Sequence, residues 1–150
     1  MDYQICIPSY KRHDTVMKKT LAVLESYNVD PARIKVFVNA EEEGEYENYT
    51  RTLATTDYTK DIEVVKGVPT IGKQRNFIEK WYPEGTYVMS FDDDIEEIQV
   101  KDGEQNLLRV EDFENDVVKR GFQACEDNNA KTFGIYAASN AYFMKHRTYT

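Results

Sequence analysis

The sequence predicts an α/β protein whose sheet is mainly parallel and covered by helices on both faces. Three observations predict it. Short apolar runs recur at intervals, amphipathic segments with a helical period separate them, and breakers mark the joins. The order reads βαβαβαβ, a rhythm that parallel sheets require because each crossover needs a helix.

The first run, Tyr3 to Pro8, reads as a buried strand stopped by Pro8, which has no N–H for a ladder. A helix comes next, with Asp14 as its expected N-cap, Met17, Leu21 and Leu24 on one face, and Val16 and Thr20 beside them. Asp30-Pro31 restarts the chain before an unbroken apolar-rich strand, Ile34 to Val38. A second helix is expected over Glu45 to Ala54, with Tyr46, Tyr49 and Leu53 inward. Ile62 to Val65 is the third strand and ends at Gly67. Thr70 to Trp81 reads as a third helix, with Ile71, Gln74, Ile78 and Trp81 sharing a face and Phe77 adjacent. Pro83, Glu84 and Gly85 break it, and Thr86 to Phe91 forms the fourth strand, running straight into Asp92-Asp93-Asp94.

After that triplet the rhythm changes. Glu96 to Val100 and Asn106 to Arg109, joined through Asp102-Gly103, predict a β-hairpin. A longer helix is expected from Glu111, with Phe113, Val117, Phe122 and Cys125 inward, and Thr132 to Ala138 reads as a last strand. The length of 150 residues predicts one domain over 1–150. The aromatic, basic end at Thr150 lacks a terminal cap, as expected of a minimal or C-terminally truncated domain.

Composition narrows the function classes. With 41% hydrophobic and 31% charged residues, the chain has the balance of a globular domain and not of a disordered tail. No apolar run approaches the ~20 residues of a membrane span, so no membrane partner is expected. The start, Met1-Asp2-Tyr3-Gln4, lacks the pattern of a signal peptide. Cys6 and Cys125 form no Cys-x-x-Cys and read as two buried reduced thiols, which fits a cytoplasmic protein. The formal net charge of −8 repels phosphate backbones, so a nucleic-acid contact needs a local basic patch such as Lys11-Arg12-His13 or Lys18-Lys19.

Three constellations carry chemistry. Asp92-Asp93-Asp94 closes an apolar strand, and ligands of open α/β sheets bind outside the carboxyl ends of the strands. Successive carboxylates repel, and a bound cation relieves them. On an extended chain Asp92 and Asp94 would point to one side and Asp93 to the other, toward a neighbouring cation or backbone amides. Carboxylate oxygens suit Mg²⁺ or Mn²⁺, which also takes substrate phosphates. The second constellation, Gly72-Lys73-Gln74-Arg75-Asn76, opens a helix and offers free N–H groups, Lys73 and the Arg75 fork to an anion. The third is a pair of loops on the same rim. Pro8-Ser9-Tyr10-Lys11-Arg12 offers a hydroxyl and a flat ring, and Asn39-Ala40-Glu41-Glu42-Glu43 offers an amide and carboxylates to a base or ribose. Each of these also reads as ordinary solvated surface; it is their shared rim that sets them apart.

A strand ending in Ile7-Pro8-Ser9-Tyr10-Lys11-Arg12, a helix with Gln74-Arg75-Asn76-Phe77-Ile78, and a strand ending Met89-Ser90-Phe91-Asp92-Asp93-Asp94-Ile95 together resemble the N-terminal part of GT-A glycosyltransferases. The details are most similar to the TET-associated glycosyltransferases, which occur in phages and some eukaryotes and are implicated in glycosylating hydroxymethylated bases of DNA. The similarity runs from Ile5 to about Ile98. It implies a Rossmann-like GT-A fold and transfer of a sugar from a nucleoside diphosphate, such as a UDP-sugar, to an acceptor hydroxyl. Pro8, Ser9, Tyr10 and Arg12 would then line the nucleoside site, and Asn39 or Glu41 would meet the base or ribose. Lys73 would lie by the diphosphate, Arg75 would lie near it or brace the acidic motif, Asp92 and Asp94 would hold Mn²⁺ or Mg²⁺, and Asp93 would stand beside them. The acceptor would be a hydroxyl, that of a modified DNA base among the options, and the setting the cytoplasm, a host's if a phage encodes the chain.

One departure stands out. GT-A enzymes place a catalytic base, and often a late metal-binding His, after the Asp-x-Asp half; here the candidates beyond the triplet are Glu96, Glu97, Asp112 and a remote His146. Two rivals remain open: a nucleotide- or partner-binding domain without turnover, and a different metal-dependent enzyme. A phosphatase would put its Asp-x-Asp on the first strand, and a nucleotidyltransferase would carry a Gly-rich loop after that strand.

Overall fold

In the computed structural model, residues 1–103 and 106–135 are described. The chain divides into two compact units, Met1–Glu96 and Glu97–Thr150, where the length predicts one domain.

The first unit is an α/β layer structure. Strands β1 (Gln4–Pro8), β2 (Ile34–Asn39), β3 (Glu63–Gly67) and β4 (Val88–Ser90) form one sheet in the order β3-β2-β1-β4. Every pairing is parallel, with Ile7 opposite Val36, Val36 opposite Val64, and Ile5 opposite Met89. Between β1 and β2 run α1 (His13–Lys18) and α2 (Thr20–Ser26); α3 (Glu45–Leu53) leads to β3, and α4 (Ile71–Trp81) crosses back to β4. This is a four-stranded parallel sheet flanked by helices, compatible with a Rossmann-like fold.

Alternation along the strands sorts the two cores. On one face Cys6, Phe37 and Val65 pack with Ile78 of α4, and Phe77, Tyr82 and Val88 close over them. Ile5, Ile7, Val36 and Val38 point the opposite way, and Val16, Leu21, Leu24, Tyr49 and Leu53 of the other helices are equally buried. Chain reversal occurs between β1 and β4: the chain leaves β1 toward β2 on one side and returns to its other side through β4. Their carboxyl ends therefore flank a switch point, where open α/β sheets place their crevice.

Local expectations were met unevenly, for physical reasons. The first helix is broken at Lys19 (φ −112°, ψ −89°) rather than continuous, and it starts at His13 after Arg12, not at an Asp14 cap. Ile71 and Trp81 are exposed at the two ends of α4, Trp81 keeping an edge contact with the Phe37 ring; Gln74 and Ile78 alone are buried on that helix. At Gly67, a side chain would collide with the Gln74 amide, whose Oε1 accepts from Val68 N–H at 3.0 Å. An alanine there would push the Gln74 amide aside and, with it, the contact to Val68 N–H.

In the second unit, β5 (Gln99–Asp102) and β6 (Asn106–Arg109) form the expected antiparallel hairpin, with Val100 opposite Leu108. Gly103 takes the left-handed conformation (φ 62°) its turn demands. A π-helical segment, Glu114–Lys119, runs into α5 (Arg120–Asp127) and buries Phe113, Val117, Val118 and Phe122. Cys125 is half-buried, where the sequence predicts full burial, while Cys6 is buried; both are free thiols. No strand forms over residues 132–135, and the rest of that expected strand lies outside the described residues. Among the described residues no helix is long and apolar enough to cross a membrane.

Candidate functional site at the β1–β4 switch point

The loop leaving β1 and the turn leaving β4 face each other at the switch point. Ser9 extends the β1 ladder, its N–H donating to Phe37 O at 3.0 Å, and Phe91 N–H donates to Cys6 O at 3.0 Å. Both loops thus start from ordered backbone. Asp93 and Asp94 lie in a turn and not on extended chain, so the alternating geometry expected of the triplet does not hold. Asp93 turns inward and is 8% exposed, while Asp92 and Asp94 are exposed.

Asp93 is the inner anchor. Its Oδ2 accepts from Ser9 Oγ at 2.7 Å, and its Oδ1 accepts from Arg12 Nη1 at 3.2 Å. Arg12 Nη1 also lies 3.5 Å from Asp94 Oδ2. The neighbouring cation expected beside Asp93 is therefore a guanidinium of the chain itself.

Proton bookkeeping gives this network a direction. A carboxylate only accepts, so Ser9 spends its single hydroxyl proton on Asp93. The Tyr49 hydroxyl, hydrogen-bonded to Ser9 Oγ, must then be the donor in that pair. Tyr49 oxygen in turn accepts from Arg12 N–H at 3.0 Å. The order Arg12 N–H, Tyr49, Ser9, Asp93 closes on itself through the Arg12 side chain, and such chains polarise in one sense. Burial, the main cause, pushes the Tyr49 hydroxyl above the ordinary phenol value, so it remains a donor.

The β1 loop is held from a second side. Lys11 adopts φ 52°, and its N–H donates to Glu45 Oε2 at 2.7 Å. Glu45 is 3% exposed, at the first turn of α3. Lys11 Nζ pairs with Glu42 Oε1 at 2.9 Å, which raises its pKa through that hydrogen bond. The N–H groups of Lys11 and Arg12 are thus used by α3. Glu45 and Tyr49 were missed as site residues because their spacing of four marks only a buried helical stripe.

The acidic turn has its own brace. Thr20, fully buried at the start of α2, donates its hydroxyl proton to Asp92 O at 2.6 Å and accepts from Ile95 N–H at 2.9 Å. Lys19 Nζ sits 2.8 Å from Glu96 Oε1, and the contact lowers the Glu96 pKa and raises that of Lys19.

The other expected site residues sit around this centre without joining it. Pro8 ends β1 half-buried, and Tyr10 is 51% exposed with Lys11 Nζ 5.3 Å from its ring centroid. Asn39 closes β2, and its Oδ1 accepts from Glu41 N–H at 3.0 Å within its own loop. Lys73 and Arg75 are exposed on the first turns of α4, with no ion pair among the described residues. Glu97 and Asp112 are exposed in the second unit, and His146 lies outside the described residues.

Among the described residues, no three His, Cys, Asp or Glu side chains cluster as a self-sufficient metal cage. Mg²⁺ and Mn²⁺ do not need one: such ions take one or two carboxylates and fill the remaining positions with water and substrate phosphate. The exposed carboxylates of Asp92 and Asp94 fit that part, whereas both oxygens of Asp93 are already engaged. Comparison with protein-family models, with curated proteins and with solved structures finds no match to this chain.

Proposed function

We propose that the first unit is the nucleotide-sugar-binding part of a metal-dependent glycosyltransferase of GT-A type. One observation carries the reading: the Ser9–Arg12 loop and the Asp92–Asp94 turn meet at the carboxyl ends of β1 and β4, with two carboxylates left exposed. That is where an open parallel sheet receives a nucleotide and where a phosphate-bound cation needs its protein ligands.

In this reading Asp92 and Asp94 hold Mn²⁺ or Mg²⁺, whose positive charge stabilises the diphosphate as the glycosidic bond breaks. Ser9 and Asp93 keep the two loops in register. The exposed Tyr10 ring covers the base or ribose, and Asn39 or Glu41 accepts from it. Lys73 and Arg75, exposed and without an ion pair among the described residues, neutralise the leaving diphosphate. The acceptor is a hydroxyl; its assignment to a hydroxymethylated DNA base rests on the sequence resemblance, and the cytoplasmic setting on the two free thiols. A carboxylate must take the acceptor proton if the reaction inverts, and Glu96 is the nearest in sequence to the acidic turn.

A second reading has its own observation. Arg12 Nη1 bridges Asp93 and Asp94, so the turn is partly neutralised without any ion. That arrangement suits a nucleotide-binding domain without turnover. A phosphatase is less well supported, because β1 ends in Pro8-Ser9 and not in Asp-x-Asp. Incubation with UDP-sugars and Mn²⁺, and analysis of the products, separates the three. Release of UDP supports the transferase, cleavage within the diphosphate to UMP and a sugar phosphate supports a phosphate-ester hydrolase, and binding without product supports the non-catalytic domain.

A further inference from the structure

Thr20 lies 72 residues before the acidic turn and belongs to none of the three constellations, yet it makes two of the turn's contacts. A threonine inside a helix ordinarily returns its hydroxyl to the carbonyl one turn earlier. Here the hydroxyl leaves the helix. It donates to Asp92 O at 2.6 Å and accepts from Ile95 N–H at 2.9 Å, from a side chain with no exposed surface. The break at Lys19 is where this becomes possible: α1 ends, α2 begins, and the two residues at the join both reach the same segment. Lys19 takes Glu96 at 2.8 Å, and Thr20 takes the backbone on both sides of Asp93 and Asp94.

The two contacts span the residues whose carboxylates matter. Fixing Asp92 O and Ile95 N–H on one oxygen closes the loop from 92 to 95 at both ends. Asp93 then faces inward to Ser9 and Arg12, and Asp92 and Asp94 stay exposed. A hydroxyl is the group that can both donate and accept at one atom; valine of the same shape could do neither.

We propose that Thr20 is the positioning residue of the acidic turn, setting how Asp92 and Asp94 are presented to a divalent cation. The metal half of this rests on the donor-site reading above; the turn half does not. The test compares wild type, Thr20→Val and Thr20→Ser in the full chain, with folding checked by circular dichroism. Two quantities are read: hydrogen exchange at the Ile95 amide, and binding of Mn²⁺ in the presence of UDP. Thr20→Val should accelerate Ile95 exchange and weaken Mn²⁺ binding by about 10- to 100-fold, as loss of a supporting contact does. Thr20→Ser, which keeps the hydroxyl, should restore both toward wild type. A folded Thr20→Val with wild-type Ile95 exchange, or with wild-type Mn²⁺ binding, overturns the proposal. If wild type itself binds no Mn²⁺, the donor-site reading and the metal half fail together, and Ile95 exchange still decides whether Thr20 fixes the turn.

Discussion

Ser9 gives its only hydroxyl proton to Asp93 Oδ2 across 2.7 Å, and so ties the loop after β1 to the turn after β4. The two residues are 84 positions apart. Because Tyr49 donates into Ser9, removing either hydroxyl breaks one continuous chain. Ser9→Ala should cost about 2 kcal/mol, since it removes a hydrogen bond to a buried carboxylate. Tyr49→Phe should cost about 1 kcal/mol, and the double variant less than the sum. Urea unfolding of the three variants measures this; strict additivity would show that the chain does not act as a unit.

Arg12 contacts the same carboxylate with a side chain 55% exposed. Its ion pair is screened by solvent, so Arg12→Ala should destabilise by less than about 1 kcal/mol. In the same unfolding series it should rank below Ser9→Ala. The reverse ranking would put the guanidinium, and not the hydroxyl, at the centre of the anchor.

Gly67→Ala should be destabilising by about 1–3 kcal/mol, because its new Cβ meets the Gln74 amide. In a Gln74→Ala background the added cost should shrink, though that background itself loses the contact to Val68 N–H. Equal costs in both backgrounds would disprove the collision.

Lys19 holds the Glu96 carboxyl below its ordinary value of 4.5. Between the two values the unfolded chain binds more protons, so stability rises with pH in that window. The contribution is present above about pH 4.5 and is lost as pH falls through the folded value. Thermal melts at successive acid pH values should show this component in wild type and not in Glu96→Gln. Because both groups are exposed, added salt should reduce it.

The fold and the site were legible to different degrees. β1 to β4 are short apolar-rich runs closed by Pro8, Asn39, Gly67 and the acidic triplet, the kind of pattern that strands of a helix-covered parallel sheet carry. Asp102-Gly103 likewise marked the hairpin through the left-handed demand of its turn. The inward turn of Asp93 was not legible, because it depends on Ser9, Arg12 and Thr20, all distant in sequence. On extended chain the triplet would alternate; the buried Thr20 hydroxyl closes it into a turn instead. The break at Lys19 escaped for a related reason: Val16, Leu21 and Leu24 keep a helical period across it. Ile71 and Trp81 carry the period of Gln74 and Ile78 to the ends of α4, where they are exposed.

Lys73 and Arg75 have no ion pair among the described residues, so replacing either by Ala should change stability by less than about 0.5 kcal/mol. In the proposed donor site each should weaken UDP-sugar binding by about tenfold, the worth of one charge-assisted hydrogen bond. Unchanged affinity in both would move the diphosphate away from α4.

Calorimetric binding of UDP-sugars and free UDP, with Mn²⁺ or with chelator, to wild type and Asp94→Ala tests the donor site most directly. The expected result is binding that requires Mn²⁺ and is lost in Asp94→Ala while the variant stays folded. A folded wild type that binds no nucleotide, or binds it equally with chelator and without Asp94, would contradict it.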